Sequence, residues 1–253
     1  MAKKLKLPKL KLPKIKLKLP GKKFWLGKKF LISASLAVVV IFGGIFIGNS
    51  MKRDSIYKQA MRSVAEARFF MKSGTVQNVT VQFIIGKREE PYKQDGIAGT
   101  PTAFGLVNVN GDETVKGFDA IEGTIKISGE QFPISLVQNP YNPLNFSDDI
   151  IKSLPREVKP DDEVEVTLHI TNNNPPLFQL SNTMTADAIS WDRALRIATS
   201  KMSDRLKGQS FESYVTIIYN MADDAGAFWY VQFITTEGRT HFAVVAPDGS
   251  VIS

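Results

Sequence analysis

"SWDRALRIATSKMSDRLKG", residues 190–208, decides the fold that we predict for the C-terminal part of the chain. Ser190 is a favoured helix N-cap residue, and Gly208 is a natural stop. Between them the apolar residues recur every three or four positions and share one helical face: Trp191, Ala194, Leu195, Ala198, Met202 and Leu206. The stretch therefore predicts a helix from Trp191 to about Lys207 that buries this face.

Three strands are predicted after this helix. They cover Phe211–Met221, Phe228–Thr235 and Thr240–Ala246, with turns at Glu237-Gly238 and Asp248-Gly249. In "WYVQF", residues 229–233, alternation places Trp229, Val231 and Phe233 on one face and Tyr230 and Gln232 on the other. We expect the Phe233 face to be buried, because Gln232 belongs in water. We also expect Trp191, Leu195 and Phe242 to share this core.

This C-terminal segment resembles a PepSY-type domain. The resemblance covers residues 189–252, about a quarter of the chain, and is carried by "ISWDRALRIA" from 189, "WYVQF" from 229 and "FAVVAPDGSV" from 242. Pro247 departs from the usual ending. The resemblance implies a regulatory or inhibitory module outside the cytoplasm, without catalytic residues to carry over.

The preceding region, residues 51–183, predicts a helix followed by a β-rich module. A helix is expected over 51–74, with its apolar positions between Asp54 and Lys72, and the β-rich module over 75–183. Asn110-Gly111 and Ser128-Gly129 predict hairpin turns. Ser147 predicts the cap of a short helix over Asp148–Leu154. In Glu163–Ile170 the apolar positions alternate, which predicts a strand with one buried face.

Charge is distributed unevenly along the chain. Twelve of its 32 basic residues are lysines in residues 1–29, and all 25 acidic residues follow, so the remainder carries a net charge of −5. A block of one sign indicates an interaction tail.

Residues 30–50 form an uncharged apolar run that is long enough to cross a bilayer as a helix. Alternatives are a cleaved signal peptide and a buried core helix. The excess of lysine before the run predicts a single-pass protein at the cell membrane, with a cytoplasmic N-terminus and an extracytoplasmic C-terminal domain. Small residues at Ser33, Ala37, Gly44 and Gly48 predict a helix-packing face and a homo-oligomer formed through it.

The lysine tail predicts contact with an anionic membrane surface. The residues expected there are Lys9, Lys11, Lys14, Lys16, Lys18, Lys22, Lys23 and Trp25. The alternative is a solvated tail that only sets topology. Nucleic acid is disfavoured as a partner, since the tail lacks arginine and has few aromatic residues for stacking.

No motif for catalysis, cofactor or metal binding is found. The chain has no cysteine, which excludes disulfides and thiolate sites, and its two histidines, His169 and His241, have no second histidine at ligand spacing. The candidate contact loop is Tyr141 and Asn142 in "NPYNP", for which a rigid connector is the alternative.

Together these patterns predict an α+β protein: one N-terminal transmembrane helix, an outer β-rich module, and a C-terminal helix, over 184–253, packed on an antiparallel meander. The layout also resembles that of bitopic scaffold subunits of secretion machines. We expect a membrane-anchored, non-enzymatic interaction or assembly protein of the cell envelope. The alternative is a regulator or inhibitor of an extracytoplasmic protease.

Overall fold

Strands dominate the part of the chain that the computed structural model describes, which is residues 54–154, 157–170, 174–219 and 226–252. Its helices are α1 (residues 54–62) and α2 (Trp191–Leu206), with one 3₁₀ turn at Ile151–Ser153. The strands are β1 Val64–Val76, β2 Val79–Glu89, β3 Pro101–Asn110, β4 Ala120–Ile127, β5 Glu130–Asn139, β6 Asn142–Asp149, β7 Val164–Leu168, β8 Leu177–Asn182, β9 Phe211–Tyr219, β10 Ala227–Thr235 and β11 Thr240–Val245.

Strand β1 connects two parts of the sheet. It pairs with β2 along most of its length. On its other edge, the start of β1 pairs in parallel with β9, while Lys72 and Ser73 pair with β8. A bulge at Phe69 separates these two halves, and bulges bend a strand and increase its twist. One strand can therefore serve both a closed sheet and an open extension.

The closed sheet has eight strands. Its order is β1-β2-β3-β6-β5-β4-β7-β8, and the β1–β8 pairing returns it to the start. Alternate side chains point inward and fill the interior with an apolar core, in which Phe83, Phe146 and Phe178 are fully buried. The predicted alternation of β7 is confirmed, because its residues Val164, Val166 and Leu168 are buried in this core.

The extension consists of β9, β10 and β11 with α2 packed on one face. The bounds of α2 match the predicted helix, and Ser190 takes the extended N-cap conformation, although its hydroxyl contacts Asp192 instead of a backbone amide. The predicted register of β10 is confirmed. Trp229, Val231 and Phe233 are buried, whereas Tyr230 and Gln232 are half-buried on the opposite face.

Several local predictions are corrected. Of the helix predicted over 51–74, the described residues are helical only at 54–62, and β1 follows because its residues pair with strands on both sides. Asn110-Gly111 does not turn a hairpin, since β3 pairs with β2 and β6. Asp148 and Asp149 end β6 instead of starting a helix. The turn at Ser128-Gly129 is confirmed; both residues have positive φ, which glycine adopts without strain.

The predicted α+β class is wrong for the described residues, which form a mostly β structure around a closed sheet. Sequence periodicity is local, whereas closure depends on the pairing of β1 with β8, over a hundred residues later.

The prediction of a single-pass membrane protein, with the localisation based on it, is not supported and is withdrawn. Within the described ranges no helix is both long and apolar enough to span a bilayer; α2 has 16 residues and one polar face. The segment on which the prediction was based, residues 30–50, lies outside these ranges.

Candidate interaction surface

The face of β9–β11 that is turned away from α2, here called the outer face, is only partly covered. Strand register places on it alternate residues of the three strands: Glu212, Tyr214, Thr216 and Ile218 of β9, Phe228, Tyr230, Gln232 and Ile234 of β10, and Thr240, Phe242 and Val244 of β11. Glu212, Tyr214 and Ile234 are buried, while the remaining residues are half-buried or exposed. The outer face therefore has a covered part, formed by Glu212, Tyr214 and Ile234, and an open part, here called the open end, which includes Ile218, Tyr230 and Phe242.

Residues 90–99, here called the strap, lie over the covered part of the outer face. The ring of Tyr92 lies edge-on to that of Tyr214, with 5.7 Å between centroids, and Ala98 packs against Tyr214 and Ile234. Gly96 lies so close to the β10–β11 turn that a Cβ there would be 2.5 Å from backbone atoms of Thr235 and Thr236. A larger residue would push the strap off the sheet.

The open end presents large apolar side chains to solvent. Phe242 is 47% exposed and Ile218 is 44% exposed. The rings of Tyr230 and Phe242 lie 5.6 Å apart on adjacent strands. Scattered apolar residues are normal on a protein surface, but adjacent large apolar side chains on one face of a sheet are typical of a binding surface.

Acidic side chains are buried under the strap. Glu212 is fully buried, and neither of its carboxyl oxygens has a hydrogen-bond partner among the described residues. Burial raises the pKa of the Glu212 carboxyl, and the nearby carboxylates of Glu89 and Asp95 raise it further. The Gly96 backbone and the Tyr214 hydroxyl, which also face Glu212, favour its charged form but do not outweigh burial. The Glu212 carboxyl therefore binds its proton more tightly than an exposed glutamate does.

Glu89, which is also buried, is better satisfied. One of its carboxylate oxygens accepts the amide N–H of Gly99 at 2.6 Å, and the other accepts that of Lys93 at 3.4 Å. Glu66, at the edge of this group, pairs with Arg68 at 2.8 Å. The backbone of the strap is therefore hydrogen-bonded to the sheet through Glu89, whereas the Glu212 carboxyl is buried without a hydrogen bond among the described residues.

A cleft of about 850 Å³ lies between α1, the strap and the start of β9. It is lined by Lys58, Arg62, the strap residues Gly96–Ala98, and Ser210. Lys58 and Arg62 lie one helical turn apart and form no ion pair within the described part of the chain.

The predicted contact loop lies at the tip of the β5–β6 hairpin. Tyr141 is 95% exposed there. Its backbone N–H donates to Asn139 Oδ1 at 2.9 Å, and Asn142 Oδ1 accepts the amide of Leu144 at 3.1 Å. The loop is thus an exposed tip on a turn that is braced by side-chain hydrogen bonds, which agrees with either of its predicted interpretations.

Other predicted site residues fall outside the described ranges. They are the membrane-surface residues between Lys9 and Trp25 and the helix-packing residues Ser33, Ala37, Gly44 and Gly48. His169 is exposed at the end of β7, and His241 is half-buried in β11. Among the described residues no group of three metal-ligating side chains comes together.

The prediction that Phe242 lies in the core is wrong. Its neighbours Ala243 and Val245 are buried under α2, so Phe242 lies on the outer face. Both faces of "THFAVV" carry apolar residues, so alternation alone could not say which face was inside. The open end of the outer face was missed for this reason.

Comparisons with known proteins identify no relative. No family model matches the chain, and no curated protein or solved structure matches it either. The resemblance to a PepSY-type domain therefore stays a prediction, as does the protease regulation that it implied.

Proposed function

We propose that the C-terminal part of this protein binds another protein, and that it acts through assembly or regulation instead of catalysis. The observation that supports this proposal is the open end of the outer face, where the ring of Phe242 is exposed beside that of Tyr230 and Ile218 of β9 is exposed as well.

The shape and chemistry of this surface favour a polypeptide partner. Small molecules bind in concave sites that enclose most of their surface, whereas the outer face is one side of a three-stranded sheet. Aromatic side chains are enriched where proteins meet, and a few of them usually provide most of the binding energy. The chain beyond residue 29 has a net charge of −5, which opposes binding of nucleic acid by that part.

Co-purification from the source cells tests the proposal. The full-length chain would be compared with Phe242→Ser, which removes the most exposed ring of the outer face. Leu177→Ser is the matched control, because Leu177 is 50% exposed but lies at the start of β8 in the closed sheet.

A stoichiometric partner should be retained by the wild type and by Leu177→Ser, and lost from Phe242→Ser. A second, differently tagged copy of the chain would be scored as a partner in the same way. If every partner stays with Phe242→Ser, the outer face is not the binding surface. If the partner is lost from Tyr141→Ser instead, the binding surface is the tip of the β5–β6 hairpin.

A further inference from the structure

We infer that the partner binds as an added β-strand along the free edge of β11, so that its backbone pairs with β11 while alternate side chains lie on the outer face. This inference depends on the proposed function and adds the chemistry of the partner: an extended segment with bulky apolar side chains at every second position. Three features of β11 support it.

The first feature is a backbone edge that is unpaired along Thr240–Phe242 in the described part of the chain. Among the described strands β11 is the last of the extension, and β10 is the strand with which it pairs. The carbonyl of Val244 points away from β10, because it accepts the amide of Ile252 at 2.9 Å. Strand periodicity then turns the amides and carbonyls of Phe242 and Thr240 outward as well. No hydrogen bond of these groups is found within the described residues, so the edge can accept another strand.

The second feature is that an extended segment of the chain itself already pairs with part of this edge. Val251 forms an antiparallel bridge with Val245, and the amide of Ala246 donates to the carbonyl of Ser250 at 2.8 Å. Residues 250–252 therefore add to the C-terminal end of β11 as a short extended segment. In the described part of the chain no segment pairs with the N-terminal half of the edge, Thr240–Phe242, where a second segment could add in line with the first.

The third feature is the position of the apolar surface beside this open half. Phe242 belongs to the edge strand, and its ring contacts Tyr230 on the next strand. Neighbouring strands lie about 4.8 Å apart, so every second side chain of an added strand would lie on the outer face, and the one opposite Phe242 would pack against its ring. Edge pairing would provide backbone hydrogen bonds, and the outer face would select side chains, as in known cases of strand addition.

A peptide library displayed on phage tests the inference without a known partner. Random twelve-residue peptides would be selected on the full-length chain, and enriched peptides would be synthesised for affinity measurement. The enriched peptides should alternate bulky apolar and polar residues. On binding, the Phe242 amide should become protected from hydrogen exchange.

Two variants separate edge pairing from side-chain packing. Thr240→Pro removes an outward N–H at the first position of β11, where proline is tolerated because this N–H does not pair with β10. It should weaken peptide binding about tenfold, as expected for losing one or two hydrogen bonds and part of the strand geometry. Phe242→Ser should also weaken binding, through the loss of the ring, while Leu177→Ser should leave affinity unchanged.

A peptide N-methylated on the amides that face β11 provides a test that does not alter the protein. It keeps its side chains but cannot donate to the edge, so it too should bind about tenfold more weakly. Urea unfolding would confirm that Thr240→Pro is folded.

Strand addition is overturned if no peptide is enriched, or if the N-methylated peptide and Thr240→Pro bind with unchanged affinity. If Phe242→Ser still weakens binding in that case, the outer face binds a partner in another geometry and the proposed function survives. If the wild type and Phe242→Ser bind the peptides with equal affinity, both strand addition and the proposed function are contradicted.

Discussion

Replacing Phe233 by alanine should strongly destabilise the protein, and the structure provides a matched comparison on the neighbouring strand. Phe233 is 0% exposed, and its ring lies edge-on to that of Phe211, with 5.6 Å between centroids. Phe242, in β11, is 47% exposed on the opposite face of the same sheet. The two positions have the same side chain and differ chiefly in burial.

The expected magnitudes follow from this difference. Truncation of a buried phenylalanine costs about 3–5 kcal/mol, because apolar contacts are lost and a cavity remains. A domain usually has only about 5–15 kcal/mol of total stability, so Phe233→Ala should remove a large part of it. Phe242→Ala should cost about 1 kcal/mol or less, since it loses a ring contact with Tyr230 but little buried area.

Urea unfolding of the full-length chain, followed by tryptophan fluorescence, measures both effects. Trp229 is buried in the core that contains Phe233 and reports on its unfolding. The midpoint should shift far more for Phe233→Ala than for Phe242→Ala, with similar slopes. Equal destabilisation, or a larger effect at Phe242, would refute the assignment of buried and open faces.

Two further predictions concern titration and turn geometry. Because burial raises the pKa of Glu212, the folded chain keeps a proton that the unfolded chain loses near pH 4.3. The free energy of unfolding should therefore fall as pH rises from about 4.3 through the raised pKa. The slope should reach up to about 1.4 kcal/mol per pH unit. Glu212→Gln should remove this dependence in urea titrations at several pH values, whereas exposed Glu237→Gln should keep it; an unchanged slope in Glu212→Gln would contradict the assignment. Gly129→Ala should cost about 1–2 kcal/mol, because Gly129 has a φ of +92° in the β4–β5 turn and alanine is strained there; a neutral effect in thermal unfolding would argue against this turn.

Short-range features were predictable from the sequence. The bounds of α2 depend on apolar spacing between Ser190 and Gly208. The register of β10 depends on one polar residue, Gln232, within an apolar strand. The Ser128-Gly129 turn needs residues that tolerate positive φ. Each of these signals lies within about twenty residues of the structure that it specifies.

The features that were missed depend on distant partners. β1 has apolar residues at helical spacing, but its parallel pairing with β9 joins Ala67 to Val215 and makes it a strand. The burial of Glu212 depends on a strap more than a hundred residues earlier in the chain. The exposure of Phe242 follows from the position of α2 on the other face. None of these relations leaves a periodic signal in the sequence.

Site-specific photocrosslinking in the source cells tests the binding role of the outer face most directly. A benzophenone amino acid would replace Phe242 in one variant and Leu177, the equally exposed control in β8, in another. If the outer face binds a protein partner, position 242 should give a discrete adduct of defined mass that position 177 does not. Absence of an adduct at position 242, or the same adduct from both positions, would contradict the proposed binding surface.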